Sequence, residues 1–188
     1  MFRGSSISSN LVKVIVLPAA VIAAGSSSVY AVQYMTIEEA QKLCFAEATE
    51  FVSSDIVLTK DQKRVIEKDS GVRVRLDKQK VWQAKAGGQL LGWFIQDEVL
   101  GKHEFISWVL ALNADGSVKQ IEILDYRETY GYQIREEMWR SQFTGKKHGA
   151  ALKLDQDIKN ISGATLSCKH ISDGVKRLLS FYELILKT

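Results

Sequence analysis

Ser162-Gly163-Ala164-Thr165, continued by Leu166-Ser167, sets two hydroxyl residues around a Gly and an Ala that have almost no side chain. Directly behind it, Ile171, Val175, Leu178, Leu179, Tyr182 and Leu186 recur at the three- and four-residue spacings of one helix face. A hydroxyl therefore stands at a helix entrance. There the first backbone N–H groups have no intrahelical partner, and the positive end of the dipole favours an anion. The chemistry on offer is phosphate binding. The plainer alternative is a cap, in which a Ser or Thr oxygen accepts a first-turn N–H. Other polar residues form no competing constellation: no Gly-x-Ser-x-Gly elbow and no Gly-x-x-x-x-Gly-Lys loop occurs, and Ser167 with His170 is a short-range coincidence. Cys168 and His170, with Cys44, His103 and His148 elsewhere, lack the paired Cys-x-x-Cys spacing of a zinc site, and no Cys-x-x-Cys-His occurs. No metal and no catalytic set is expected.

A second block lies upstream. Trp108-Val109-Leu110-Ala111-Leu112, the turn Asn113-Ala114-Asp115-Gly116 and the run from Val118 to Leu124 lead into Glu128-Thr129-Tyr130-Gly131-Tyr132. Met138-Trp139-Arg140-Ser141-Gln142-Phe143 follows. With Ser162–Thr165 behind them, in this order and spacing, these segments resemble the FMN-binding domain whose flavin is attached through its phosphate to a threonine. That domain occurs in the G subunit of Rnf-type electron-transport complexes and the C subunit of the sodium-translocating NADH:quinone reductase. The resemblance spans residues 85–185 and implies that Thr165 bears a covalent FMN. There are departures. Lys159 stands where the family often has Asp, with Asp157 two residues earlier; Tyr130 replaces a Pro, and Gln133 a second Gly.

A flavin needs a place for its phosphate, a face for its ring, and nearby dipoles and charges that tune its potential. Thr165 and the helix behind it, with Ser162, Gly163, Ala164, Leu166 and Ser167, are the candidate phosphate end. Glu128, Thr129, Tyr130, Gly131 and Tyr132 are the candidate ring end, with Tyr130 or Tyr132 against the ring; the competing reading is a surface turn. Trp139 reads as core before flavin contact, and Lys169 as solvated before phosphate partner. The function expected is an exported flavoprotein electron carrier rather than a self-contained enzyme. It would pass electrons between membrane or periplasmic redox partners after an FMN transferase has matured it. The alternatives are a periplasmic interaction domain of the same fold without flavin, and a flavin reductase with its own substrate pocket.

The elements that must position these groups follow from periodicity. Residues 35–52 read as an amphipathic helix with Thr36 and Glu39 as a capping box, and Asp61 to Lys68 as a shorter helix closed by Gly71. Val72, Val74 and Leu76 alternate with polar residues as in a strand. Strands are also expected over Val81–Ala86, Leu90–Asp97, Phe105–Leu112 and Val118–Leu124, with Asp115-Gly116 turning the last pair. A helix over Ile134–Phe143 and a final one from near Leu166 complete an α+β domain, an antiparallel sheet with helices packed on one side.

The chain has 188 residues, 46% hydrophobic and 25% charged, with a formal charge of +3. That suffices for one core, and without a basic stripe it excludes nucleic acid as a partner. Arg3 and Lys13 precede an apolar run, Val14 to Ala24, too short to cross a bilayer comfortably, and Val29-Tyr30-Ala31 offers a cleavage site. Residues 1–31 are thus expected to be a signal peptide, or a retained anchor. Residues 32–84 are expected to form an N-terminal helical and strand region, and the resemblance implies an FMN-binding core over 85–188, in the periplasm or on the outer side of the inner membrane. Cys44 and Cys168 form a disulfide or remain two buried thiols.

Overall fold

The computed structural model describes Met1 and residues 34–187. The expected signal peptide, its cleavage position and its anchor alternative lie outside the described residues.

Among the described residues six strands form an antiparallel sheet: β1 (Glu50–Ser53), β2 (Ile56–Val57), β3 (Lys78–Ala86), β4 (Gln89–Leu100), β5 (Phe105–Asn113) and β6 (Val118–Asp125). The order is β1-β3-β4-β5-β6, and β2 shares the outer edge of β3 with β1. The β3–β6 meander follows from period-two patterning. Trp93, Ile95, Trp108, Leu110, Ile121 and Ile123 point to one face, while Phe94, Val109, Ala111 and Leu124 point to the other. At the β5–β6 turn Gly116 has φ 78° and its N–H donates to Asn113 O, as the Asp-Gly signal requires.

The two faces take different helices. Helix α4 (Thr165–Phe181) lays Cys168, Ile171, Val175 and Leu178 on the Trp108 face, beside α2 (Lys60–Ser70). Helix α1 (Ile37–Cys44) covers the opposite face with Ala40 and Cys44. The helices therefore pack on both sides of the sheet, not one. The strand alternation is apolar on both faces, and each face needs a cover. The two cysteines lie in these separate cores as free, buried thiols; burial pushes Cys44 up to about 12 and also raises Cys168.

Three elements depart from the periodicity. The first helix keeps its Thr36–Glu39 capping box but stops at Cys44. Phe45 swings out of helical geometry to pack beneath Gly92, where a Cβ would come within 2.9 Å of its ring, and Glu50–Ser53 joins β3. The alternating stretch 72–76 is not a strand: β1 and β2 already occupy the edge of β3, and the Val74 N–H donates instead to Glu67 Oε1 at 2.8 Å. Residues 134–143 form a 3-10 turn (Tyr132–Arg135), a single α-turn α3 (Glu137–Arg140) and another 3-10 turn (Ser141–Phe143), broken by the extended Glu136. On one unbroken helix Ile134 would diverge from Trp139 by roughly 140° and from Phe143 by about 180°. The break lets all three enter the core.

Candidate functional site

Helix α4 begins at Thr165, one residue before the expected start. Ala164 is its N-cap and has no side-chain oxygen, so no side chain caps the amides of Thr165, Leu166 and Ser167. The hydroxyls of the motif therefore do not serve as caps. Ser162 lies in the turn that the Ala164 N–H closes on Ile161 O (3.0 Å), and Gly163 takes φ 81° within it. Thr165 is exposed, and its Oγ1 accepts a hydrogen bond from Asn160 Nδ2 at 3.1 Å.

The Glu128–Tyr132 loop meets this turn directly. Gly131 has φ 89°, and a Cβ there would fall 2.2 Å from the Cβ of buried Ala164. Two residues chosen for their lack of side chain thus touch each other, and this contact brings the two motifs together. Tyr126, at the end of β6, straps the junction. Its hydroxyl donates to Tyr130 O and lies 3.4 Å from Ser167 Oγ. Burial raises the Tyr126 phenol above its usual value despite the Ser167 contact, so it stays a neutral donor.

Between the motifs opens a cleft of about 340 Å³, within the size range of small-molecule sites. Glu128, Thr129 and Tyr130 form one wall, and Gly163 to Ser167 the other. Lys102 and His103, from the β4–β5 turn, complete it. The cleft thus gathers eight of the eleven residues singled out in the sequence. Ser162, Gly131 and Tyr132 lie outside its lining, Gly131 as the packing contact beneath it and Tyr132 as the start of the 3-10 turn.

Glu128 is more architectural than the sequence suggests. Its Oε1 accepts from the N–H groups of His103 (2.6 Å) and Glu104 (3.1 Å), fastening the β4–β5 turn to the loop. Burial pushes this carboxyl up, but those amides and that of Lys102 outweigh it and hold it below the usual carboxylate range. Trp139 is core: it is buried edge-on against Phe143, and its Nε1–H donates to Lys159 O at 2.8 Å. Lys169 pairs with Asp173 at 2.5 Å on the surface. It lines a second cleft, of about 360 Å³, that shares no residue with the first.

Sequence reading missed Lys102, His103 and Tyr126. The first two lie in the short connection between β4 and β5, where no residue pattern marks a site. For Tyr126 the available signal was an aromatic with a polar tip closing an apolar strand, a residue type that seeks a partner when buried.

A family model described as "FMN-binding domain" matches residues 101–180, from the β4–β5 turn through most of α4. The matched segment supplies the cleft residues, Gly131 and the Tyr126 strap. Over these residues the chain is similar to the FMN-binding family. It is 28% identical over 129 residues to the G subunit of a proton-translocating ferredoxin:NAD(+) oxidoreductase complex from Clostridium ljungdahlii, covering 64% of this chain and 70% of that one. Against the G subunit of the Na(+)-translocating ferredoxin:NAD(+) oxidoreductase complex of Acetobacterium woodii it is 25% identical over 117 residues. That match covers 57% of this chain and 56% of its relative, so it spans little more than half of that protein. The fold is similar to that of NqrC from Shewanella oneidensis, with a TM-score of 0.52 at 15% identity over 78% of this chain and 86% of the other. FMN is the cofactor of this domain family. The lining fits such a group in its chemistry: it includes Lys102, the uncapped first residues of α4, and the exposed apolar side chains of Leu166 and Tyr130.

Proposed function

We propose that this protein is an exported electron carrier whose FMN is joined by a phosphoester to Thr165 Oγ1. The observation that carries this reading is the position of Thr165. Its hydroxyl is exposed at the first residue of an uncapped helix, on the wall of a cleft shared with the second motif. Uncapped amides of Thr165 to Ser167 and the α4 dipole would offset phosphate charge, and Lys102 adds a full positive charge. Gly163 and Ala164 keep side chains away from the ribityl path. Thr129 and Tyr130 would border the ring, held in place by the Tyr126 and Glu128 hydrogen bonds. Bound FMN supplies one- and two-electron redox chemistry; the chain supplies attachment, orientation and partial exclusion of water.

The partners proposed are an FMN transferase for maturation and redox proteins of a membrane electron-transport complex, in line with the ferredoxin:NAD(+) oxidoreductase complexes to which the two relatives belong. Export is proposed from residues 1–31, which would place the domain in the periplasm or on the outer side of the inner membrane. Covalent linkage suits that setting, because a dissociating flavin would be lost by diffusion. Co-expression with an FMN transferase should give a yellow protein whose colour survives denaturation, with a mass increase matching one flavin mononucleotidyl group. Thr165→Ala should fold and lose that increase. Covalent flavin on Thr165→Ala would move the attachment elsewhere and end the assignment.

A further inference from the structure

Asn160 is the one side chain that bonds the Thr165 hydroxyl among the described residues, and the flavin reading gives it no role. Its amide is arranged in an unusual way. Nδ2 is turned outward and donates to Thr165 Oγ1 at 3.1 Å, whereas Oδ1 is turned inward, buried, and has no hydrogen-bond partner. A buried acceptor left without a donor is disfavoured, and each such group calls for an explanation. What this arrangement achieves is to show the Thr165 side only donors.

The backbone on either side of Asn160 is fixed. The Lys159 N–H donates to Gln142 Oε1 at 2.7 Å, and Lys159 O accepts from Trp139 Nε1 at 2.8 Å. Ile158 is fully buried, and Ile161 O closes the turn that carries Gly163. Asn160 is thus presented from a pinned loop, and one amide hydrogen is used by Oγ1. The second hydrogen on Nδ2 remains for an oxygen next to Oγ1.

We propose that Asn160 is a positioning residue for flavin attachment: it orients the Thr165 hydroxyl and donates to the phosphate that becomes bonded to it. This rests on the Thr165 reading above. In the attachment step the Thr165 oxygen bonds to the flavin-side phosphorus of a flavin dinucleotide. The pyrophosphate P–O bond breaks, the nucleoside monophosphate leaves with the bonding pair, and the hydroxyl proton passes to a base of the transferase. Nothing is oxidised or reduced. Negative charge grows on the phosphate oxygens during transfer, so a donor fixed beside Oγ1 acts where the charge develops.

The test uses the full chain, a purified FMN transferase and a flavin dinucleotide, with initial labelling rates read by covalent fluorescence over a range of protein concentrations. Asn160→Ala should label about tenfold to a hundredfold more slowly, the range expected for loss of a hydrogen bond to a charged group. The loss should fall on kcat, with KM and melting temperature unchanged. Asn160→Asp has the same shape but sets a negative charge against the phosphate, so it should be slower than Asn160→Ala; it also serves if the Ala variant does not fold. Labelling of either variant at the parent rate, a loss confined to KM, or Asp outpacing Ala overturns this role. If the parent chain takes no label, the Thr165 reading falls and this role with it. A labelled parent with unaffected variants removes the role of Asn160 alone.

Discussion

Tyr130 and Tyr132 look equivalent in the sequence, and the fold separates them. Both are exposed, at 74% and 60%, but only Tyr130 lines the cleft, with its carbonyl held by Tyr126. In the flavin-bearing protein, Tyr130→Ala should raise flavin fluorescence and shift the reduction potential while the covalent link stays, because an aromatic neighbour quenches and desolvates the ring. Tyr132→Ala should leave both unchanged. Emission spectra and redox-dye titration of the two variants decide this, and a silent Tyr130 variant would remove the loop from the ring. At this scale the sequence was informative about residue type and order: Thr165, Gly163 and the Glu128 loop are all legible as motifs. It was silent on Asn160 and Tyr126, because their roles lie in partners five and forty-one positions away.

At the scale of elements, the site depends on how α4 sits on the sheet. Gly174 lies mid-helix, where Ala would ordinarily gain about 1 kcal/mol from helix propensity. Here a Cβ would come within 2.7 Å of Trp108 Cζ2, on a fully buried ring. Overpacking of about 1–3 kcal/mol should outweigh the propensity, so Gly174→Ala should lower the urea midpoint. A raised midpoint would mean that Trp108 yields freely. The β4–β5 turn hangs on Glu128, whose carboxyl is held below its ordinary value in the fold. Its stabilising contribution is therefore present above the unfolded pKa, about 4.3, and is lost as pH falls through the lower folded value. Amide exchange of His103 and Glu104, measured down a pH series, should accelerate in that acid window. In Glu128→Gln it should be faster already at neutral pH, with a flatter pH response. Glu128→Gln exchange that matches the parent chain near neutrality would show that the charge is not what holds the turn.

For the whole molecule, the proposed export has a direct check: amino-terminal sequencing of the exported protein should begin at Val32, and a full-length chain in the membrane fraction would favour a retained anchor. Periodicity determined most of the elements. Val118–Leu124, the Asp115-Gly116 turn, the Thr36–Glu39 box and the helix behind Thr165 each encode their own geometry within a few residues. The α+β class and the two site motifs follow from those local signals, as does the family resemblance. Only the tertiary structure decided what each apolar side faces. It put α1 opposite α4, left 72–76 without a strand partner, and broke 134–143 so that Ile134, Trp139 and Phe143 all reach the core. It also joined the two motifs through Gly131 and Ala164 and added Lys102, His103 and Tyr126 around them. The reason is physical: an apolar stripe or an alternating run specifies which side must be buried, whereas its partner is chosen by competition among all the surfaces of the chain for the same space.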